Sequence, residues 1–181
     1  MKNNVLLGSR TARWTIIAAL VIVIESTTDA RAGDPAFETG VYPNLFKEYL
    51  GKNDEEIQAK IDSAFNQLFY GKDSSERVYY PVGTDMAYML DTGNNDVRSE
   101  GMSYGMMIAV QMNKREEFDR LWKWAKTYMY QSDGPYEGYF AWHCKSDGTQ
   151  LAANPASDGE EWFIMALMFA TAAASEIGCD V

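Results

Sequence analysis

Histidine occurs once in this 181-residue sequence and cysteine twice, and both scarcities remove classes of chemistry. His143 stands beside Cys144 without the further ligands a zinc centre needs, so no metal and no cofactor are expected. Cys144 and Cys179 could pair in an oxidising compartment, but two cysteines do not make a disulfide framework. Positive charge is also short: 16 Lys and Arg stand against 26 Asp and Glu, a net charge of −10. Such a surface repels phosphate backbones, which excludes nucleic acid as an expected partner. The apolar run from Ile16 to Ile24 is about half of the roughly 20 residues needed to cross a bilayer, which argues against a stable membrane anchor. There is no repeat of high identity and no low-complexity segment.

The start of the chain has the layout of a secretory signal peptide. A basic region carries Lys2, Arg10 and Arg13, the apolar run follows, and a polar stretch ends in Ala30-Arg31-Ala32, a small-x-small cleavage site. No cysteine lies near that site, so nothing suggests a lipid-anchored form. Residues 1–32 are therefore expected to be removed after Ala32, leaving residues 33–181 as one secreted or periplasmic domain. Without the leader, 12 basic residues face 24 acidic ones. A neutral ligand is indifferent to that charge. Trp122, Trp124, Trp142 and Trp162, with many Tyr and Phe, can fill a core, and flat rings of this kind also stack on the apolar faces of sugars.

Helical periodicity dominates the rest. A short helix is expected around Leu45–Leu50. A second starts after Asn53, with Glu56 completing a capping box and Ile57, Ile61, Ala64, Phe65, Leu68 and Phe69 on one stripe; Gly71 ends it. Residues 72–97 read as loop with a short strand or two. Further helices are expected from Ser99 to about Met112, from Arg115 to Tyr130, and from Ser157 or Asp158 to about Ile177. The last is apolar almost all round from Trp162 to Ala174, which implies burial on more than one side. Helical hairpins with functional loops at one end fit this order.

Three segments carry candidate chemistry. In Arg98-Ser99-Glu100-Gly101-Met102-Ser103-Tyr104-Gly105-Met106, Ser99 can cap a helix whose first turn holds Glu100. The carboxylate could simply complement the helix dipole. Gly101 and Gly105, each about 1 kcal/mol worse than Ala in a helix, would instead let a backbone or a ligand approach. A carboxyl beside so bare a face is partly dried, and drying favours the protonated form a general acid needs. In Asn154-Pro155-Ala156-Ser157-Asp158-Gly159-Glu160-Glu161-Trp162, the acids fit ordinary helix-start chemistry but exceed what a cap requires. In Gly138-Tyr139-Phe140-Ala141-Trp142, a strand or packed loop competes with a sugar platform at Trp142. Inverting glycoside hydrolysis needs an acid and a carboxylate on opposite sides of the bond. Spacing alone does not show that Glu100 and Asp158 face one another, and unaided it reaches only a candidate acidic cleft in a helical protein.

Taken in order, Ser99-Glu100-Gly101-Met102-Ser103-Tyr104-Gly105-Met106-Met107, Glu117-Phe118-Asp119-Arg120-Leu121-Trp122-Lys123-Trp124-Ala125, Gly138-Tyr139-Phe140-Ala141-Trp142 and Asp158-Gly159-Glu160-Glu161-Trp162-Phe163 resemble glycoside hydrolase family 8. The likeness is strongest to its reducing-end xylose-releasing exo-oligoxylanases and covers roughly residues 36–178. The resemblance implies an all-α fold, the N-terminal part of an (α/α)6 barrel of helical hairpins, with an inverting mechanism on xylo-oligosaccharides and no metal. It implies Glu100 as general acid, Asp158 as the acid that contacts the sugar at the cleavage subsite and stabilises its cation-like state, and Trp142 as a sugar-binding aromatic. Tyr104, one turn beyond Glu100, is the second aromatic candidate. The family's general base lies well downstream, beyond this chain, so the chain is expected to be a truncated part with little or no hydrolysis of its own. Three alternatives stay open: an endo-acting glucanase or chitosanase of the same family, an inactive sugar-binding remnant, and an unstable fragment with no activity.

Overall fold

The computed structural model describes residues 39–73 and 75–176. The leader expected over residues 1–32, the end of the last helix near Ile177, and Cys179 lie outside the described residues. Within them the chain runs α1 (Leu45–Leu50), α2 (Asp54–Tyr70), β1 (Tyr79–Val82), β2 (Met86–Met89), β3 (Val97–Arg98), α3 (Ser99–Gln111), α4 (Arg115–Tyr128), β4 (His143–Cys144), β5 (Gln150–Ala152) and α5 (Ser157–Glu176). Helices form the body, and the strands make a two-stranded hairpin (β1–β2) and a small antiparallel sheet ordered β3-β4-β5.

The capping box opens α2 as its sequence requires: Asn53 Oδ1 accepts from the Glu56 N–H at 2.8 Å, and Glu56 Oε2 accepts from the Asn53 N–H at 3.1 Å. Of the apolar stripe on this helix, Phe65 and Phe69 are buried, whereas Ile61 and Leu68 are exposed. Phe69 stacks on Tyr79 of β1 at 5.0 Å, so α2 closes onto the hairpin through its last turn.

The centre of the core is α3 packed between α4, α5 and the hairpin. Met102, Met106, Leu121, Trp124 and Ala125 are sealed from solvent there. The glycine face of α3 meets protein, not ligand. A methyl built on Gly105 would lie 2.6 Å from Cγ of Met89 and 3.1 Å from Cδ1 of Leu121, so Gly105 is where β2 and α4 press closest to α3.

The expectation of burial on more than one side of α5 is not met. Phe163 and Ala166 are buried, but Ile164, Met165, Met168 and Phe169 are exposed. Among the described residues α3 packs against one side of α5, and no element covers the other. Apolarity all round a helix records what must be covered, and this chain covers half of it. Among the described residues no helix is long and apolar enough to cross a membrane.

Candidate active site

Two helix starts meet at one place. Strand β3 remains extended through Arg98 (φ −123°, ψ 149°) and passes straight into α3. Ser99 is therefore not the cap expected of it but the first residue inside the helix, fully buried. Its N–H donates to the carbonyl of Trp142 at 3.0 Å, and its hydroxyl donates to Oε2 of Glu100 at 3.2 Å. Glu100 is half-buried in the first turn, and its carbonyl accepts from the Ser103 hydroxyl at 3.0 Å.

On α5, Asp158 is exposed and the next residue, Gly159, is buried. A methyl built on Gly159 would stand 2.3 Å from Oγ and 2.7 Å from Cβ of Ser99. Glu100 and Asp158 are thus chain neighbours of two residues in direct contact. Further along, the rings of Tyr104 and Trp162 meet edge to face at 5.5 Å. The two contacts in this order mean that α3 and α5 run side by side in the same direction. Their positive dipole ends converge, which favours carboxylates at the site. Sequence spacing did not reveal this meeting; the small Gly159 beside an acid was the signal for it.

Trp142 joins the two starts. While its carbonyl accepts from Ser99, its N–H donates to the carbonyl of Asn154 at 3.1 Å, three residues before α5. The side chain is half-buried and packed beside the His143 ring, with centroids 4.7 Å apart and planes 30° apart. The Arg98 guanidinium lies 5.4 Å from the Trp142 ring centroid. Tyr104 is exposed on the same side of α3 as Trp162.

Behind the tryptophan lies a charged group that sequence reasoning missed. Asp96 is buried, and its Oδ2 lies 2.7 Å from His143 Nε2, while its Oδ1 accepts from Arg98 Nε at 3.1 Å. The same Arg98 nitrogen lies 3.0 Å from Oδ2 of Asp91. Bonds from the Asn94 side chain and the Gly93 N–H, with the charge of Arg98, hold the Asp91 carboxyl below the usual aspartate value. The bonded Asp96 carboxylate pushes the Arg98 guanidinium up. Asp96 immediately precedes β3, two residues before Arg98, and its side chain meets that of Arg98. That alternation of Asp and Arg before a helix was the available signal.

The second acid of the α5 start has a structural task. Glu160 Oε1 accepts from the Phe140 N–H at 2.8 Å and so fastens the aromatic loop to the helix. Burial pushes this carboxyl up, and the Phe140 N–H offsets part of that. Cys144 is buried, and burial pushes its thiol up to about 11, away from nucleophile chemistry. Among the described residues no group of three or more His, Cys, Asp or Glu is placed to hold a metal ion.

Residues 86–176 match the sequence profile of Glycosyl hydrolases family 8. The chain is 60% identical over 139 residues to the reducing-end xylose-releasing exo-oligoxylanase of Paenibacillus barcinonensis, covering 77% of this chain and 36% of that one. It is 52% identical over 136 residues to the enzyme of that description from Halalkalibacterium halodurans, covering 75% and 34%. The structure superimposes on the Paenibacillus enzyme complexed with xylose with a TM-score of 0.72, over 76% of this chain and 36% of that one. The chain therefore spans about a third of the length of the relatives it matches, and the fold it shares with them is the (α/α)6 barrel of which its hairpins form part.

Proposed function

We propose, from the fact that this chain belongs to glycosyl hydrolase family 8, that the whole protein cleaves xylo-oligosaccharides with inversion and releases xylose from the reducing end. Glu100 is the general acid: it gives its proton to the glycosidic oxygen as the bond to the leaving sugar breaks. Water attacks the opposite face of the sugar and loses its proton to a carboxylate that the resemblance places downstream of this chain. Asp158 stabilises the positive charge that develops on the ring, and Trp142 and Tyr104 hold sugar through their rings. The protein is exported, with its leader removed after Ala32.

One observation supports the reading: Ser99 and Gly159 touch, so the two helix starts that carry Glu100 and Asp158 meet, with the Trp142 backbone bonded to Ser99 and to Asn154 just before the second. A half-buried acid, an exposed acid and a half-buried indole, carried on segments that meet, suit a neutral, flat-faced ligand. Relatives that match at 60% and 52% identity are named for xylose release, which favours xylo-oligosaccharides over other sugars.

The test uses the protein as its gene encodes it. Glu100→Gln should abolish nearly all turnover of xylotriose while leaving binding within a few fold, and near-normal turnover would remove Glu100 from the mechanism. Relative rates on xylotriose, cellotetraose and chitosan oligomers decide the substrate; preference for either of the last two would replace the xylose reading with a glucanase or chitosanase.

A further inference from the structure

Arg98, Asp96, His143 and Trp142 form a closed ring of contacts. The guanidinium covers the indole, its Nε bonds one oxygen of Asp96, the other oxygen of Asp96 meets His143, and His143 packs against the indole again. The backbone closes the same group, because Arg98 and His143 are paired across β3 and β4. Asp96 is buried and bonded to both partners, so the cation and the imidazole are pinned through one carboxylate. Asp91 holds Arg98 from a second direction at 3.0 Å. Of these groups, Arg98 and His143 each meet the Trp142 ring, and Asp96 bonds both of them.

We infer that Arg98 and His143, clamped by Asp96, are positioning residues that fix the Trp142 indole for sugar stacking. The inference rests on the proposed role of Trp142. A half-buried tryptophan in a loop otherwise samples several rotamers, and each lost before binding weakens the complex. A cation held near the ring and a packed imidazole remove that freedom. Because Arg98 directly precedes Ser99 and Glu100, the same clamp keeps the platform in register with the acid.

Xylotriose affinity, measured by calorimetry in the full protein carrying Glu100→Gln, separates this idea from the one beneath it. Trp142→Ala should weaken affinity about tenfold, and Arg98→Met should do nearly the same. Combined, the two should be no worse than Trp142→Ala alone, because both remove one platform. Arg98→Lys should recover part of the loss, and His143→Gln should weaken binding less than Arg98→Met. If Trp142→Ala leaves affinity unchanged, or the parent binds no xylotriose, the sugar-platform reading fails and this inference with it. If Trp142→Ala weakens binding but Arg98→Met does not, or the two losses add in full, the clamp alone is overturned. A ligand-free check covers the case in which Arg98→Met does not fold. In protein labelled with 5-fluorotryptophan, the Trp142 resonance, identified by its absence in Trp142→Phe, should shift in both Arg98→Lys and His143→Gln; an unmoved line in both would refute the clamp.

Discussion

Glu160 carries a charge whose cost depends on pH. Burial raises its carboxyl above the ordinary glutamate value, so its protonated form suits the folded state better than the unfolded one. The contribution to stability is then fully present below the unfolded value and is lost as pH rises through the folded one. The Phe140 N–H opposes this, since a charged acceptor makes the stronger bond. Glutamine keeps an acceptor oxygen without the charge, whereas alanine leaves the N–H of a packed loop without its partner. Glu160→Gln should therefore be more stable than Glu160→Ala by about 1–2 kcal/mol at pH 7. The stability of Glu160→Gln relative to the native chain should also grow as pH rises from about 4 to 7. Urea midpoints along that pH series decide it: a constant difference between native and Gln chains would mean that the carboxyl is no more costly than an exposed one.

At the scale of elements, the tightest constraint is the meeting of α3 and α5. Gly159→Ala would gain up to about 1 kcal/mol of helix propensity, less near a helix start. Against this, its methyl would lie 2.3 Å from Oγ of a fully buried serine. Separating two packed helices costs about 1–3 kcal/mol, so the clash wins and the urea midpoint should fall. Ser99→Gly removes both crowded atoms and should recover part of the loss in the double variant. A single Gly159→Ala chain as stable as the native one would show that the helix starts do not touch. Local chemistry of this kind was unevenly legible. The Asn53–Glu56 box and the starts of the helices follow from nearest neighbours and could be read directly. Ser99 could not be placed, since a serine before a helix and a serine inside its first turn look alike in sequence. What separates them is a strand running up to Arg98 and a carbonyl arriving from Trp142. The candidate acids were legible as residues, through motif resemblance, but the meeting of the two helix starts that carry them was not. The Asp96–His143 contact depends on β-pairing between distant segments, which spacing does not encode.

At the scale of the whole molecule, two surface forces oppose each other. From Gly33 onward, 12 basic residues face 24 acidic ones, and like charge keeps copies apart. Yet α5 presents Ile164, Met165, Met168 and Phe169 to solvent, and α1 presents Leu45, Phe46 and Leu50. Contiguous apolar surface of this kind drives association in water. The repulsion is long-ranged and is screened within about 8–10 Å at 0.1–0.15 M salt, while the apolar term persists. Produced on its own, the chain from Gly33 should therefore self-associate more as salt rises. The double change Ile164→Glu with Met168→Glu acts on both terms at once, interrupting the α5 face and adding negative charge. It should shift sedimentation velocity profiles toward monomer, most visibly at high salt, where added charge counts least and the lost apolar surface counts most. Equal association of the two chains at high salt would assign it to another surface. A difference confined to low salt would mean that the added charge, not the lost apolar face, was responsible.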